Sequence, residues 1–346
     1  MTVRIPLREA LFTEEPRTLL QTDSSVATAF RYRSGVAALR LVTPAAELVW
    51  LPFKGQQIWR YGVAGEDLTM RTHFDEPTAS TVFGETYGGF LLHCGLTGIG
   101  HPSDEDRHLL HGELPNATYD EAEILVDGDS MVLTGSCRLR RTHSMDVVFR
   151  PSVIVDAHDP LLKVTAEIEN LRSAPFEYAY MCHINYALFD GSVLEQTASL
   201  SGDDFTVVPD EAQDEATAAY TRAIIADPES SNRLDAGQPV RPEYCAIIRP
   251  QPAADGWARF FQVRPDGTAA YVGFETEGLP LAVRWISNTG DEASAGFCLP
   301  ATAHHLGRAR ADRDGLMRHV PAGGRVTMRV ETGLLDAERG AVLRRR

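Results

Sequence analysis

The sequence predicts an all-β protein, a single large sandwich of mostly antiparallel strands with few and short helices. Short apolar or alternating runs recur along the 346 residues, and turn signals such as Gly-Asp, His-Ser and Asp-Pro separate them. Helical periodicity is weak throughout the chain. No linker or internal repeat divides it, so we expect one domain that spans residues 1–346.

The strand pattern can be followed in order along the chain. Predicted strands cover residues 36–42, 47–52, 56–61, 131–140, 145–155, 162–169, 176–189, 258–263, 268–274, 281–286 and 325–334. Within 162–169, Val164, Ala166 and Ile168 alternate with polar residues, which is typical of a half-buried antiparallel strand. Residues 1–30 are interpreted as an N-terminal extension. Residues from about 200 to 244 are interpreted as an insertion or long connection, and the best helix candidate, 210–226, lies inside them.

Charge and composition exclude several classes of partner. The net charge of −15 argues against nucleic acid and anionic membranes, because both select basic surfaces. No run approaches the roughly 20 apolar residues that span a bilayer, and charges interrupt the N-terminus too early for a secretory signal. We therefore expect a cytoplasmic monomer or homodimer. The five cysteines are widely spaced without a CxxC pair, which predicts buried free thiols.

Residues 83–123, FGETYGGFLLHCGLTGIGHPSDEDRHLLHGELPNATYDEAE, hold four histidines between glycine-rich turns: His93, His101, His108 and His111. Histidine is the side chain whose unperturbed pKa lies near neutral pH, and loops on a rigid scaffold often carry binding sites. Gly112 allows a tight turn or a close ligand approach directly after His111. We assign His101 and His108 to the loop surface.

A second candidate lies in FEYAYMCHINYALFDGS, residues 176–192. Side chains alternate across a strand, so His183 shares a face with Met181 and Asn185, opposite Cys182. An imidazole and an amide two residues apart on one face suit hydrogen bonding to a polyhydroxylated ligand. The alternative is a strand histidine that bonds only to a neighbouring side chain.

Several blocks between about residue 35 and residue 336 resemble the aldose 1-epimerase (galactose mutarotase-like) superfamily, in particular its DUF4432 branch. They are LVWLPFKGQQIWRYGVAGEDL, GGFLLHCGLTGIG, HLLHGELPNATYDEAEI, MCHINYALFDGS and VRWISNTGDEASAGFCLPATAHHLGRARAD with HVPAGGRVTMRVETGLLD. The resemblance implies a single β-supersandwich with a ligand groove on one concave sheet, and a sugar as the ligand. It also implies acid–base chemistry, with His183 matching the general acid and His111 a substrate-orienting histidine.

The sequence departs from the family pattern at three positions. Leu299 in Cys-Leu-Pro stands where the family carries its base, in Gly-x-Glu-Pro. Glu113 follows His-Gly where the DUF4432 branch usually has arginine, and His93 stands where mutarotases carry an arginine. Because leucine cannot take a proton, our hypothesis is that Glu113 supplies the missing base or a carboxylate that contacts the ligand.

The remaining candidates are ligand contacts. We expect the following residues to bind substrate: His93, Asn185, Trp285, His304 and Asn116. An alternative reading gathers imidazoles and a carboxylate into a divalent metal site of the kind that suits Zn, Mn or Fe. Its ligands would come from His93, His111, Glu113, His183 and His304, although none of these has local ligand spacing.

The resemblance and the residues together predict an epimerase-like or isomerase-like protein that acts on a free sugar or sugar derivative. Its acid–base chemistry would fall on the anomeric or an adjacent carbon, with no cofactor and a small carbohydrate as the only partner. Two alternatives stay open: a non-catalytic sugar-binding protein that lost the carboxylate, and a metal-dependent keto-sugar isomerase or lyase.

Overall fold

The computed structural model describes residues 2–345, which form two large β-sheets. In chain order the strands are β1 Val3–Leu7, β2 Arg17–Gln21, β3 Val26–Arg31, β4 Ala37–Val42, β5 Glu47–Trp50, β6 Ile58–Val63, β7 Glu66–Asp67, β8 Leu91–Leu96, β9 Glu121–Asp127, β10 Ser130–Arg141 and β11 Met145–Asp156. They continue as β12 Leu162–Asn170, β13 Phe176–Ile184, β14 Val193–Gln196, β15 Phe205–Val208, β16 Val240–Ile248, β17 Trp257–Val263, β18 Ala269–Glu275, β19 Leu281–Asn288, β20 Ala293–Ala301, β21 Arg318–Val320 and β22 Arg325–Leu335.

The two sheets pack face to face as a sandwich. The nine-stranded sheet has the order β1-β9-β10-β11-β12-β22-β18-β17-β14. The thirteen-stranded sheet has the order β15-β16-β19-β20-β13-β8-β6-β5-β4-β3-β2, with β21 paired to β13 and β7 to β6. Neighbouring strands pair antiparallel, as in β10 with β11 and β13 with β8. The prediction of an all-β antiparallel sandwich is confirmed.

Helices are few and short, as predicted. The α-helices are α1 Glu215–Ala226, α2 Arg308–Arg313 and α3 Ala337–Leu343, and 3₁₀ turns cover Glu9–Leu11, Phe83–Glu85, Gly202–Asp204 and Pro228–Asn232. Between residues 2 and 345, no helix combines the length and apolar character that crossing a lipid bilayer requires.

The two sheets bury their strands differently. In the nine-stranded sheet, β10 and β12 bury alternate residues, so one face packs on the core and the other meets solvent. In the thirteen-stranded sheet, every residue of β8 and β20 is buried, and so is every residue of β13 except Glu177. Connections therefore cover the outer face of these central strands. All five cysteines are free and buried, as the sequence predicted.

The N-terminal residues supply edge strands to both sheets. β1 pairs with β9, with Val3 opposite Val126, at one edge of the nine-stranded sheet. β2 and β3 extend the other sheet beyond β4, where Thr28 lies opposite Arg40. Residues 1–30, interpreted as an extension, therefore contribute strands to both sheets of the sandwich.

Residues 200–244 contain β15, helix α1 and the start of β16. The side chain of Asp214 accepts a hydrogen bond from Thr217 N at 2.8 Å and caps α1, so this helix starts at Glu215 and not at residue 210. The buried Arg284 guanidinium fastens the segment to the sandwich. It donates to Ser231 Oγ at 2.9 Å and to Gln196 Oε1 at 2.7 Å.

Candidate functional site

The outer face of β13 forms part of the floor of a cavity of about 250 Å³. Met181 and His183 line this cavity. Tyr180 and Cys182, the alternating neighbours, join the core between the sheets. The alternation predicted from the sequence therefore divides β13 into a face that packs in the core and a face that lines the cavity.

His183 is held in one orientation by the amide of Asn185. Asn185 Nδ2 donates to Gly89 O at 2.8 Å, which leaves Oδ1 as the acceptor. Oδ1 accepts from Tyr87 OH at 3.1 Å and from His183 Nδ1 at 2.7 Å. This network places the proton of a neutral His183 on Nδ1 and leaves Nε2 for a ligand. Burial lowers the pKa of His183 to about 4, so the ring is neutral at pH 7.

Aromatic rings surround His183. The Trp285 ring lies 5.5 Å from it, centroid to centroid, and the Tyr87 ring 5.8 Å. The His111 ring lies 5.3 Å away on another side, and Phe83 stacks on it at 4.7 Å. An apolar, aromatic wall with a few oriented polar groups is the usual composition of a small-molecule site.

His111 reaches the cavity through an unusual backbone turn. Its φ of 57° and the φ of 80° at Gly112 both fall in the left-handed region, which costs a non-glycine residue free energy. Backbone bonds hold the turn: His111 N donates to Gly100 O at 3.1 Å, and His111 O accepts from Gly95 N at 2.8 Å. The pKa of His111 is lowered well below its usual value. Burial is the larger cause, and the charges of nearby histidines, including His183, are the smaller one. Its Nδ1 is buried without a hydrogen-bond partner.

Two carboxylates that the sequence analysis did not single out line the cavity, Glu243 and Glu292. The pairing of β16 with β19 sets Cys245 opposite Trp285 and so carries Glu243 to the site. Trp285 Nε1 donates to Glu243 Oε2 at 2.6 Å. Leu299, where the resemblance expected a carboxylate, lines the same cavity. The acidic groups of the cavity wall thus come from Glu243 on β16 and from Glu292 just before β20. Position 299, where the resemblance places the base, contributes an apolar side chain.

Glu113 does not line the cavity, which corrects our hypothesis for its role. Its Oε2 accepts from the backbone N–H groups of Leu96 and Thr97 at 3.0 and 3.1 Å. Its Oε1 accepts from Thr97 Oγ1 at 2.5 Å and pairs with Arg141 at 3.1 Å. Both carboxylate oxygens are committed to closing the turn at the end of β8, so Glu113 is placed as a structural group.

His93, which we expected to contact substrate, does not line the cavity either. It lies on β8 opposite Cys182, with its side chain in the core between the sheets. Its Nδ1 bonds with Tyr180 OH at 2.8 Å, and its ring lies 5.3 Å from that of Phe149 in the other sheet. This position on the inner face of the sheet separates His93 from the cavity.

His304 and Asn116 lie outside the cavity as well. His304 Nε2 bonds with Asp314 Oδ2 at 3.0 Å, and Asn116 Nδ2 donates to Thr81 O at 3.3 Å. The neighbouring His305 lines the cavity instead.

The two histidines assigned to the loop surface have different environments. His101 is exposed in a loop, as expected, and it also lines the cavity. His108 is buried and bonds through Nδ1 to Leu109 O at 2.7 Å.

The five residues of the metal alternative do not come together. His111 and His183 are neighbours in the cavity, whereas His93 is in the core, Glu113 closes a turn and His304 pairs with Asp314. Across residues 2–345, no three His, Cys, Asp or Glu side chains group with the geometry of a metal centre.

A large antiparallel sandwich of this kind has the galactose mutarotase-like fold. A Klebsiella pneumoniae protein described as a "putative aldose 1-epimerase" superposes with a TM-score of 0.82 at 14% identity, over 100% of this chain and 94% of that one. A galactose mutarotase-like protein from Clostridium acetobutylicum gives 0.65 at 12% identity, over 91% and 100% of the two chains. At such identities the likeness establishes the fold alone.

The sequence itself identifies the family. The DUF4432 family, a domain of unknown function, matches residues 30–334, and the chain belongs to this family. No curated protein matches the chain in sequence.

Proposed function

We propose that the protein catalyses acid–base epimerisation or isomerisation of a free sugar or sugar derivative at the anomeric or an adjacent carbon. One observation carries the proposal. His183 presents Nε2 to a cavity that also contains the carboxylate of Glu243, and Trp285 contacts both. An acid and a base fixed beside one small, aromatic-walled cavity are the groups that opening a hemiacetal requires.

In the proposed reaction, Glu243 is the base, the role that our sequence hypothesis gave to Glu113. Its carboxylate accepts the proton of the anomeric hydroxyl while His183 Nε2 gives a proton to the ring oxygen. The bond between the anomeric carbon and the ring oxygen breaks as the carbonyl forms. Rotation about the next carbon–carbon bond and the reverse proton transfers close the other anomer. Trp285 would pack on the sugar ring and His111 would orient a hydroxyl, with no cofactor required.

The protonation of His183 makes the proposal testable through pH. His183 must carry a proton on Nε2 to act as the acid, and burial disfavours that proton by lowering its pKa to about 4. The reactive form therefore holds one proton more than the resting form. We expect kcat/KM to rise by up to about tenfold per pH unit as the pH falls from 7 towards 5.

The experiment is proton NMR of anomer exchange on a panel of aldoses, at several pH values, with His183→Ala as the control. Enzyme-dependent exchange that grows at lower pH and disappears in the variant is expected. Exchange no faster than in buffer, for every sugar in the panel, would overturn the catalytic proposal.

A second candidate is a sugar-binding protein without catalysis. The observation that favours it is Leu299, an apolar residue in the cavity wall at the position where the resemblance expected the base. Its sugar would stabilise this protein thermally, by an amount that grows with the logarithm of ligand concentration above Kd, yet the protein would leave the rate of anomer exchange unchanged. Measuring both quantities on one sample separates the two functions.

A further inference from the structure

We propose that a cleft beside the cavity is a subsite for a second, uncharged sugar unit, so that the substrate is the reducing end of a small oligosaccharide. The inference rests on the proposed function for the identity of the reacting ring. The cleft has a volume of about 790 Å³ and lies against the mouth of the cavity.

The cleft and the cavity are continuous. They share five lining residues, namely His101, Pro242, Glu243, Cys245 and His305. Glu243, the proposed base, therefore borders both spaces. A ligand whose reacting ring lies in the cavity can extend past Glu243 into the cleft without a change in the fold.

An unpaired polar atom lies at the junction. His305 Nδ1 is buried and has no hydrogen-bond partner. Burial lowers the pKa of His305 to about 4, so its ring is neutral at pH 7. Buried polar groups of proteins are seldom left unpaired, and a hydroxyl or glycosidic oxygen at this place would supply the missing bond.

The far wall of the cleft combines apolar surface with carboxylates. It comes from the segment 200–244, where Val208, Pro209 and Ala212 are interleaved with Asp210 and Glu211. Asp210 Oδ1 accepts from Ala212 N at 2.9 Å, which fixes the turn. Apolar patches flanked by acceptors match a pyranose, whose faces are apolar and whose rim consists of hydroxyl donors.

The charges that line the cleft and the cavity indicate that the ligand is uncharged. Among the residues that line the cleft and the cavity, all within the described range 2–345, none is a lysine or an arginine. The carboxylates of Asp210, Glu211, Glu243 and Glu292 face these spaces. A phosphate or carboxylate on the ligand would meet like charges without compensation, so an uncharged sugar unit fits best.

The test is isothermal titration calorimetry with matched ligand pairs: maltose and glucose, xylobiose and xylose, mannobiose and mannose, galactobiose and galactose. For at least one pair, we expect the disaccharide to bind about tenfold or more tightly than the monosaccharide, as one or two added hydrogen bonds would provide. Ala212→Trp fills the exposed wall of the cleft. Its matched control is Ala216→Trp, which lies on the exposed part of α1 and lines neither space.

The result that supports the subsite is loss of the disaccharide advantage in Ala212→Trp, with monosaccharide affinity unchanged and Ala216→Trp behaving as wild type. Equal affinity for both members of every pair in the wild type would overturn the subsite and leave the proposed reaction standing. Binding of disaccharides without anomer exchange would support the subsite and remove the reaction. Binding of no sugar at all would overturn both.

Discussion

Two histidines on adjacent strands of the same sheet have opposite surroundings. His93 on β8 lies opposite Cys182 on β13, and His183 is the next residue along β13. Both are buried, and burial lowers their pKa values to about 3 and about 4. His93 packs between the sheets against Phe149, whereas His183 lines the cavity.

The comparison shows that burial and a lowered pKa do not by themselves mark a functional histidine. Each ring bonds through Nδ1, His93 to a tyrosine hydroxyl and His183 to an amide oxygen. The difference lies in the surroundings of the other nitrogen. Nε2 of His93 is buried in the core without a partner, while that of His183 can meet a ligand. Because side chains alternate across the sheet, His93 lies on its inner face and His183 on its outer face.

The largest effect should follow removal of the ligand-facing ring. We expect His183→Ala to lower kcat for anomer exchange by about 10² to 10⁴-fold, the usual contribution of a general acid. His93→Ala should leave kcat of the folded protein near the wild-type value. Stopped-flow polarimetry of both variants at matched folded concentration measures the difference. Equal losses in the two variants would end the distinction between them.

The same contrast applies to two carboxylates. Glu243→Gln should reduce kcat by about 10² to 10³-fold, because the amide keeps the shape and the bond to Trp285 but cannot take a proton. Glu113→Gln should keep kcat and lower the thermal midpoint, because Glu113 accepts from two backbone N–H groups. Activity and calorimetry on both variants test this. A catalytic loss confined to Glu113→Gln would restore the first hypothesis.

The core histidine should dominate stability. His93→Ala removes a large buried side chain between the sheets and should lower the free energy of unfolding by about 2–5 kcal/mol. His183→Ala borders an existing cavity, so its loss should be smaller. Urea unfolding at pH 7 followed by tryptophan fluorescence compares the two. A reversed order would place His93 on a solvated face.

Stability should also depend on pH. Both rings are neutral in the folded protein at pH values where an unfolded histidine, with its pKa of 6.5, binds a proton. The unfolded state thus binds more protons, and stability falls as the pH drops below 6.5. Each histidine contributes up to about 1.4 kcal/mol per pH unit, to about pH 4 for His183 and about pH 3 for His93.

Unfolding titrations at pH 5, 6 and 7 measure these slopes. Replacing either histidine by leucine should flatten the slope, by a similar amount above pH 5. An unchanged slope in His93→Leu would show that this ring is protonated in the folded state.

The sequence predicted the sandwich and the division of β13 correctly, because both depend on local alternation. Other strands escaped notice for a physical reason. In β8 and β20 every residue is buried, so their sequences lack the period of two that marks a half-buried strand.

The site was harder to predict because its parts meet through pairing and turns. Glu243 joins Trp285 only through the register between β16 and β19, which no local pattern reveals. Glu113 follows His111 closely in sequence, but the left-handed turn at His111 and Gly112 sends the two side chains to different surroundings. Nearness along the chain was therefore a poor guide to nearness at the site.

The fastening of the segment 200–244 by Arg284 has a consequence for divergence within the family. His183, the proposed acid, belongs to a central strand, whereas one wall of the cleft belongs to a surface connection held by buried hydrogen bonds. Under the proposed function, changes of length and composition in that connection would alter which sugar is accepted and leave the chemistry on β13 unchanged. Relatives that share the His-x-Asn strand but carry a different connection should differ in substrate and agree in reaction.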